Sequence, residues 1–366
     1  MTVNQLSNTA ALHLAIAQAG DQAEFGTLIE PYRRELLAYC YRFLGSPLDA
    51  EDVVQETMLR AWRRRETFNR PVSFRAWLYK IATNACLNAL EKRPRRTLPV
   101  VLTPAPDPSG GPAATIREPI WLEPFPDEWL PDPADTPEAH YSARESISLA
   151  FLTALQLLPA RQRAVLILRE VLDWPASETA ELLGLTVPAV NSALHRARTT
   201  LAKHYPDRTR EAAGTAAEDP ATSQLLARYV RAWETADMAG LLTLLREDAT
   251  LTMPALPTWY RGEAAITELL TAIAFAVEGP HWEWRLWPTR ANGQPALAIY
   301  RRSEAAEPFR LFTLQVLTID PSAGKIAWLI NFRNPALLTC FGLPAELTSD
   351  GLAPGSERAA PTASRS

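Results

Sequence analysis

LPARQRAVLILREVLDWPASETAELLGLTVPAVNSALHRARTTLAK, residues 158–203, decides how the rest of the chain is read. It scans as three helices that close in a helix-turn-helix. An apolar stripe of Ala164, Val165, Leu168, Val171 and Leu172 begins after Pro159, which suits a first helical turn because its missing N–H is not needed there. Pro175 opens a short second helix with Ala180 and Leu183 turned inward. Gly184 stops it, since glycine accepts the left-handed conformation cheaply. Thr186 is placed to cap the last helix, and Pro188 in its first turn does no harm. Val190, Leu194, Ala197 and Leu201, spaced four, three and four apart, make the buried stripe. The outer face carries Asn191, Ser192, His195, Arg196 and Arg198, all able to meet base edges or phosphates. Two helices around a short glycine turn, the second polar and basic outside, make a DNA-reading module. A plain helical bundle with a basic solvated face is the alternative these residues alone leave open.

A chain of 366 residues should hold two or three domains, and 47% hydrophobic content is enough for ordinary cores. The net charge is −4, so any DNA contact must come from local patches. Cys40, Cys86 and Cys340 show neither disulfide nor zinc spacing, which fits a reducing cytosol. His13, His140, His195, His204 and His281 form no ligand pair at helical spacing, so neither a metal nor another cofactor is expected. No basic segment leads into an apolar N-terminal run, and no stretch of about 18 apolar residues occurs. The expectation is a cytoplasmic chain with no membrane partner. Of the 31 prolines 12 fall between Pro94 and Pro137, a cluster that marks a domain boundary.

Residues 1–20 read as a loose start. Residues 21–44 are helical, with Phe25, Leu28, Ile29, Leu36, Leu37 and Cys40 as core and Pro31 as a kink or break. Gly45 and Pro47 form a turn. In the helix over 49–65, Ala50, Val53, Val54, Met58, Ala61 and Trp62 face inward. Asp52, Gln55, Glu56 and Leu59 lie at i, i+3, i+4 and i+7 on one surface. An acidic patch with an exposed leucine suits a partner bearing arginines; an ordinary solvated face is the alternative. Next comes RRRETFNRPVSFRAWLYKIATNACLNALEKRPRR, residues 63–96. Its cations Arg63, Arg64, Arg65, Arg70, Arg75, Lys80, Lys92, Arg93, Arg95 and Arg96 face only Glu66 and Glu91. They are interleaved with Phe68, Phe74, Trp77 and Tyr79, a composition suited to holding single-stranded nucleic acid. The helix from Ser73 buries Phe74, Leu78, Ile81, Ala85 and Ala89 and sets Lys80, Asn84 and Asn88 on another face. Phe74 and one of Trp77 or Tyr79 belong with the core. Phe68, in the turn, has the better claim to an exposed role.

DAEDVVQETMLRAW, FRAWLYKIATNACLNALEKRPRR, LPARQRAVLILREVLDW and LTVPAVNSALHRAR, in this order and spacing, resemble a bacterial sigma factor of the extracytoplasmic-function group. The resemblance implies two all-α domains, over 21–96 and 138–206, that bind core RNA polymerase and direct it to promoter DNA in the cytoplasm, at the nucleoid. Asp52, Gln55 and Glu56, with Leu59 beside them, would dock the clamp helices of the largest polymerase subunit. The second domain would meet the polymerase flap. The turn 67–73, with Phe68, Asn69, Arg70 and Ser73 and the adjoining Phe74 and Trp77, would shape a pocket for a base flipped from the −10 strand. Lys80 and Asn84 would contact the −10 DNA nearby. Thr186, Val187, Ala189, Asn191, Ser192, His195 and Arg196 would lie in the major groove of the −35 element, with Arg198 on phosphate. A separate anti-sigma protein is a further candidate partner.

The linker over 97–137 contains IWLEPFPDEWLPDP, too aromatic for an inert spacer. Trp121, Leu122, Phe125, Trp129 and Leu130 should bury against something. The segment resembles the tryptophan–leucine–proline linker of sigma factors that carry an extra C-terminal domain. After a short linker at 207–221, residues 222–345 read as helices over 223–236, 238–245 and 263–277, a short strand over 249–254 and a turn at WYRG. Four antiparallel strands follow, over 281–287, 296–302, 309–319 and 325–332, with Asn292-Gly293 as a hairpin signal. This α+β order resembles the SnoaL-like cone fused to one subgroup of sigma factors. Residues 346–366 read as a loose tail. Asp237, Glu247, Asp248, His281 and Glu283 are available for acid–base work, but no paired acid and base emerges, so a regulatory or binding role is favoured over catalysis. Met253, Trp259, Tyr260, Trp284, Tyr300 and Phe312 could line a pocket for a small ligand, or be plain core. Two other readings stay open: a ligand-responsive repressor with a helix-turn-helix, and a SnoaL-like enzyme tethered to DNA.

Overall fold

The computed structural model describes residues 21–68, 73–92, 96–98, 121–131, 146–204, 220–254, 259–275 and 281–348. Contacts divide the chain into two compact units. Of the described residues, the first holds those within 21–98, 121–204 and 291–294, and the second those within 220–290 and 295–348.

The first unit is helical. Helix α1 (Gln22–Ile29) is capped by Asp21, whose carboxylate accepts the Ala23 N–H at 3.0 Å. Pro31 sits in a single 3₁₀ turn, Glu30–Tyr32, that breaks the chain before α2 (Arg33–Leu44). Every residue of α2 from Leu36 to Leu44 is buried, so this helix is the axis of the unit. Helix α3 (Pro47–Arg63) starts earlier than its acidic pattern suggests because Ser46 caps it and Pro47 fits its first turn. Helix α4 (Phe74–Lys92) closes this first group.

Helices α5 (Leu149–Gln156), α6 (Ala160–Leu166), α7 (Ala176–Leu183) and α8 (Val187–His204) form the second group. Gly184 takes φ +64°, and the Leu185 N–H reaches the Ala180 carbonyl at 2.8 Å, a glycine-terminated helix end. Thr186 Oγ1 caps α8 through the Ala189 N–H at 3.3 Å. Two details differ from the sequence reading. Leu182 is buried while Leu183 is half-buried. The end of α6 widens into a π turn, Ile167–Val171, which shifts the side-chain register. Val171 and Leu172 are therefore only half-buried, and Trp174 fills the space, its ring 5.2 Å from that of Tyr79.

The second unit places helices α9 (Pro220–Glu234), α10 (Met238–Thr243) and α11 (Glu263–Ile273) on one side of a curved sheet. Its strands are β1 (Leu245–Thr252), β2 (Trp259–Arg261), β3 (Glu283–Ala291), β4 (Gln294–Arg302), β5 (Phe309–Asp320) and β6 (Lys325–Phe332). A short helix α12 (Pro335–Thr339) leads to β7 (Glu346–Leu347), which pairs with β5. The sheet order is β2-β1-β6-β5-β4-β3. Two expectations are corrected here. Trp259, Tyr260 and Arg261 are a strand, paired antiparallel with β1, rather than a turn. Strands β1 and β6 run parallel, so the sheet is mixed. No hairpin joins those two strands, so their direction was not fixed by a turn. Among the described residues no helix is long and apolar enough to cross a membrane.

Gly45 ends α2 at φ +70°, and a Cβ there would lie 2.6 Å from Leu122 Cδ1 of the linker. Gly184 has a similar φ with open space around it. Alanine at either position costs about 1–2 kcal/mol of backbone strain. Gly45→Ala should therefore lower the thermal unfolding midpoint more than Gly184→Ala and speed protease cleavage within the linker. Equal midpoints and unchanged cleavage would contradict the close packing of Leu122 on Gly45.

Candidate nucleic-acid interface

The C-terminal end of α2 leaves carbonyls that need donors, and the linker, α6 and Gln156 of α5 supply them. The Glu123 N–H of the linker donates to Gly45 O at 2.9 Å. Arg163, buried on α6, donates to Phe43 O, and also to Gln156 Oε1 at 2.8 Å and Gln156 O at 3.1 Å. Arg42 of α2 reaches the other way, to Ser146 O at 3.0 Å and Ser146 Oγ at 2.8 Å; burial pulls its guanidinium down to about 10. Tyr41 donates to Glu123 O at 2.6 Å, and burial pushes its phenol well up.

Linker residues Trp121, Leu122 and Phe125 are buried, while Trp129 and Leu130 are half-buried. Trp129 meets the Phe125 ring edge-on at 5.9 Å. Arg96 holds the segment in place. Its guanidinium lies 2.8 Å from Asp49, 3.6 Å from Glu123 and 2.9 Å from Trp121 O. Arg96 is thus withdrawn from the nucleic-acid surface to which its neighbours in sequence assign it. A buried cation needs paired anions, and two lie beside it.

The Asn292-Gly293 turn reaches the side chain of Tyr41 rather than a carbonyl of α2. Both residues have positive φ, as a two-residue hairpin requires. Asn292 is fully buried in the helical unit. Its Nδ2 donates to Tyr41 Oη at 2.8 Å and Ile147 O at 2.7 Å, and its Oδ1 accepts the Phe125 N–H at 2.8 Å. Gly293 N–H donates to Asp127 Oδ1 at 2.7 Å. In the sequence this dipeptide marks a turn and nothing more. Its side-chain role leaves no local signal, because the partners lie in three distant segments.

On α3, Asp52, Gln55 and Leu59 are exposed, and Glu56 is half-exposed with Arg60 at 2.6 Å. Leu59 is 52% exposed, one of three large apolar side chains so placed among the described residues. On α4, Lys80, Asn84 and Asn88 are exposed along one face. Phe68 is corrected: it is buried at 7%, edge-on to Phe74 at 5.6 Å and to Trp77 at 5.4 Å, and packed on Leu28. An apolar ring beside a cluster of half-buried rings gains more from closing that cluster than from standing in water. Phe74 and Trp77 are half-buried in the same cluster, and Ser73 is exposed. Tyr79 is core, with its hydroxyl 3.2 Å from Glu35. Arg75 is also tied to Glu35, at 3.0 Å. Asn69 and Arg70 lie outside the described residues.

On α8, Val190, Ala193, Leu194, Ala197 and Leu201 are buried, and Thr186, Val187, Asn191, Ser192, His195 and Arg196 are exposed; Ala189 is half-buried. Arg196 Nη1 donates to Ser192 Oγ at 2.6 Å, which aims the guanidinium along the face. Arg198 is engaged by Glu170 and so stands apart from that face.

In the second unit, Met253, Trp284 and Phe312 line a cavity of about 320 Å³. Trp259 and Tyr260 are half-buried and lie outside its lining, and Tyr300 points to the opposite side of the sheet, among Ala298, Phe309 and Leu347. Alternation along β4 explains this: Leu297 and Ile299 face the helices, Ala298 and Tyr300 face away. Asp237 caps α10, and Glu247, Asp248, His281 and Glu283 are exposed, Glu283 bound to Arg302 at 2.6 Å. None of these five lines the cavity.

Three known families match successive parts of the chain. The Sigma-70 region 2 family matches residues 28–96, the Sigma-70 region 4 family residues 148–201, and the SnoaL-like domain family residues 226–329. The ECF RNA polymerase sigma factor SigG of Mycobacterium tuberculosis is 44% identical over 328 residues, which is 89% of this chain and 85% of that protein. SigW of Bacillus subtilis is 29% identical over 193 residues, covering 51% of this chain and 92% of its own length. The crystal structure of Mycobacterium tuberculosis SigJ shares the fold, with a TM-score of 0.54, 23% identity and coverage of 87% of this chain and 99% of that one. The chain belongs to the ECF RNA polymerase sigma factor family, with a SnoaL-like domain after its two sigma regions.

Proposed function

We propose that the exposed face of α3, Asp52, Gln55, Glu56 and Leu59, docks the clamp helices of core RNA polymerase. The face of α4 bearing Lys80 and Asn84, with the turn before it, takes the −10 strand. Helix α8 reads the −35 element through Asn191, Ser192, His195 and Arg196, while its group also meets the polymerase flap. The observation that carries this reading is that α3 and α8 expose two separate faces of opposite character, acidic-apolar and polar-basic. A DNA-binding repressor needs only the second. The protein works in the cytoplasm on the nucleoid, and the SnoaL-like cone is a regulatory rather than a catalytic part. No carboxylate or histidine among the five candidates is placed in its cavity.

The regulatory reading rests on a mismatch of lengths. The −10 and −35 elements are about 25 base pairs apart, roughly 85 Å at ~3.4 Å per base pair. A compact helical body of this size has a radius of gyration of roughly 16 Å. The two readers must therefore separate on the promoter. The bonds of Asn292 to Tyr41, Phe125 and Ile147 oppose that separation.

In run-off transcription with core polymerase, Arg196→Ala should lower output from a cognate promoter by roughly tenfold, since a good base contact is worth about 1–3 kcal/mol. Leu59→Ala with Asp52→Ala should weaken capture of core polymerase in a pull-down without DNA; undiminished capture would overturn the docking assignment. Asn292→Ala should raise promoter output by several-fold, on the scale of the ~1–3 kcal/mol lost when a buried polar partner is removed. Unchanged or reduced output would overturn the regulatory reading.

A further inference from the structure

Strand β4 sends Leu297, Ile299 and then Arg301 to the same side of the sheet, so a charge follows two core residues inward. On β5 a bulge opposite Ile299 and Tyr300 turns both Phe312 and Thr313 toward the cavity. Past the end of β6, Arg333 continues the side on which Leu329 and Asn331 lie. Two guanidinium groups thus meet at one aromatic ring. Arg301 stands 4.0 Å and Arg333 4.2 Å from the Phe312 centroid, and Arg301 is also 3.9 Å from that of Trp282.

Among the described residues neither arginine has a carboxylate within ion-pair distance, whereas Arg246, Arg261, Arg285, Arg302 and Arg310 of the cone each have one. Burial pulls both guanidinium groups below the usual range, and for Arg301 the charge of Arg333 adds to the effect. Arg301 is half-buried and Arg333 exposed, so two like charges held side by side on ring faces leave their outer donors open to an anion.

Behind the arginines lies the cavity of about 320 Å³, walled by Leu251, Met253, Leu270, Trp284 and Ile299. Its volume falls at the lower end of the ~300–1,000 Å³ usual for small-molecule sites. In front lies an open groove of about 430 Å³ that shares Arg301, Phe312 and Arg333 with the cavity. The guanidinium groups therefore stand at the boundary between an apolar chamber and solvent. Ile273, 47% exposed, borders the chamber.

We propose that the cone binds an amphipathic organic anion, its hydrophobic body in the chamber and its carboxylate on Arg301 and Arg333. Guanidinium groups suit this task because each offers a planar fork of donors to a carboxylate. The inference stands apart from the assignment of the sigma faces. It is tested by calorimetric titration of the full chain with decanoate below its micellar range, beside decanol, which has the same tail without the charge. Saturable decanoate binding, stronger than decanol by roughly tenfold or more, is expected. Arg301→Gln with Arg333→Gln should erase that preference. Ile273→Trp, a change at an exposed position that leaves the core intact, should obstruct the chamber and weaken both compounds. No saturable binding, equal affinity for decanoate and decanol, or unchanged decanoate affinity in the double arginine variant would each overturn the proposal.

Discussion

The end of a helix cannot be buried unless its last carbonyls find donors, and α2 is buried to its last residue. That constraint organises the helical unit. Gly45 supplies the left-handed turn and keeps the space free of a Cβ, which lets the linker approach. The linker then donates from Glu123, the −35 group donates from Arg163, and Tyr41 passes a hydrogen bond to the linker while accepting one from Asn292. Each of these groups would be a buried, unpaired donor or acceptor if its partner left, which couples the ties to one another.

Such a device suits a protein whose two reading heads must work far apart. The hydrogen bonds and the ion-pair cluster across the helix end have a modest net worth in water because solvent can replace them. Burial of Trp121, Leu122 and Phe125 and the Tyr79–Trp174 contact make up the rest of what opening must overcome. In the proposed assignment polymerase offers a competing surface to α3, and promoter DNA offers one to α4 and α8. Binding there needs to exceed only the difference between the closed and open forms. The three large apolar residues exposed among the described residues, Leu59, Val187 and Ile273, lie at the three proposed partner sites, for polymerase, −35 DNA and the organic anion.

Much of the fold was legible because it follows from local rules. The glycine stop at Gly184, the Thr186 cap, the inward stripe of α8 and the exposed row Lys80, Asn84 and Asn88 are all matters of spacing along one helix. What escaped the sequence depends on partners distant in the chain. Phe68 looked like an exposed turn residue until the rings of Phe74 and Trp77 closed over it. Arg96 looked like one more nucleic-acid cation, yet Asp49 and Glu123 claim it. Asn292 looked like hairpin chemistry alone. Arg301 carried a faint signal, since it occupies the inward parity of a strand otherwise filled by Leu297 and Ile299. The parallel pairing of β1 with β6 carried none, because no turn connects them.

The central claim is that the free chain holds its two promoter readers together and that polymerase draws them apart. Spin labels at the exposed positions Asn88 and Lys203, one in each helical group, measure this by pulsed dipolar spectroscopy. The account predicts one short, narrow distance distribution in the free full chain and a shift to much longer distances when core polymerase and promoter DNA are added. A broad, long distribution already present in the free chain, or a short one that persists in the complex, would contradict it.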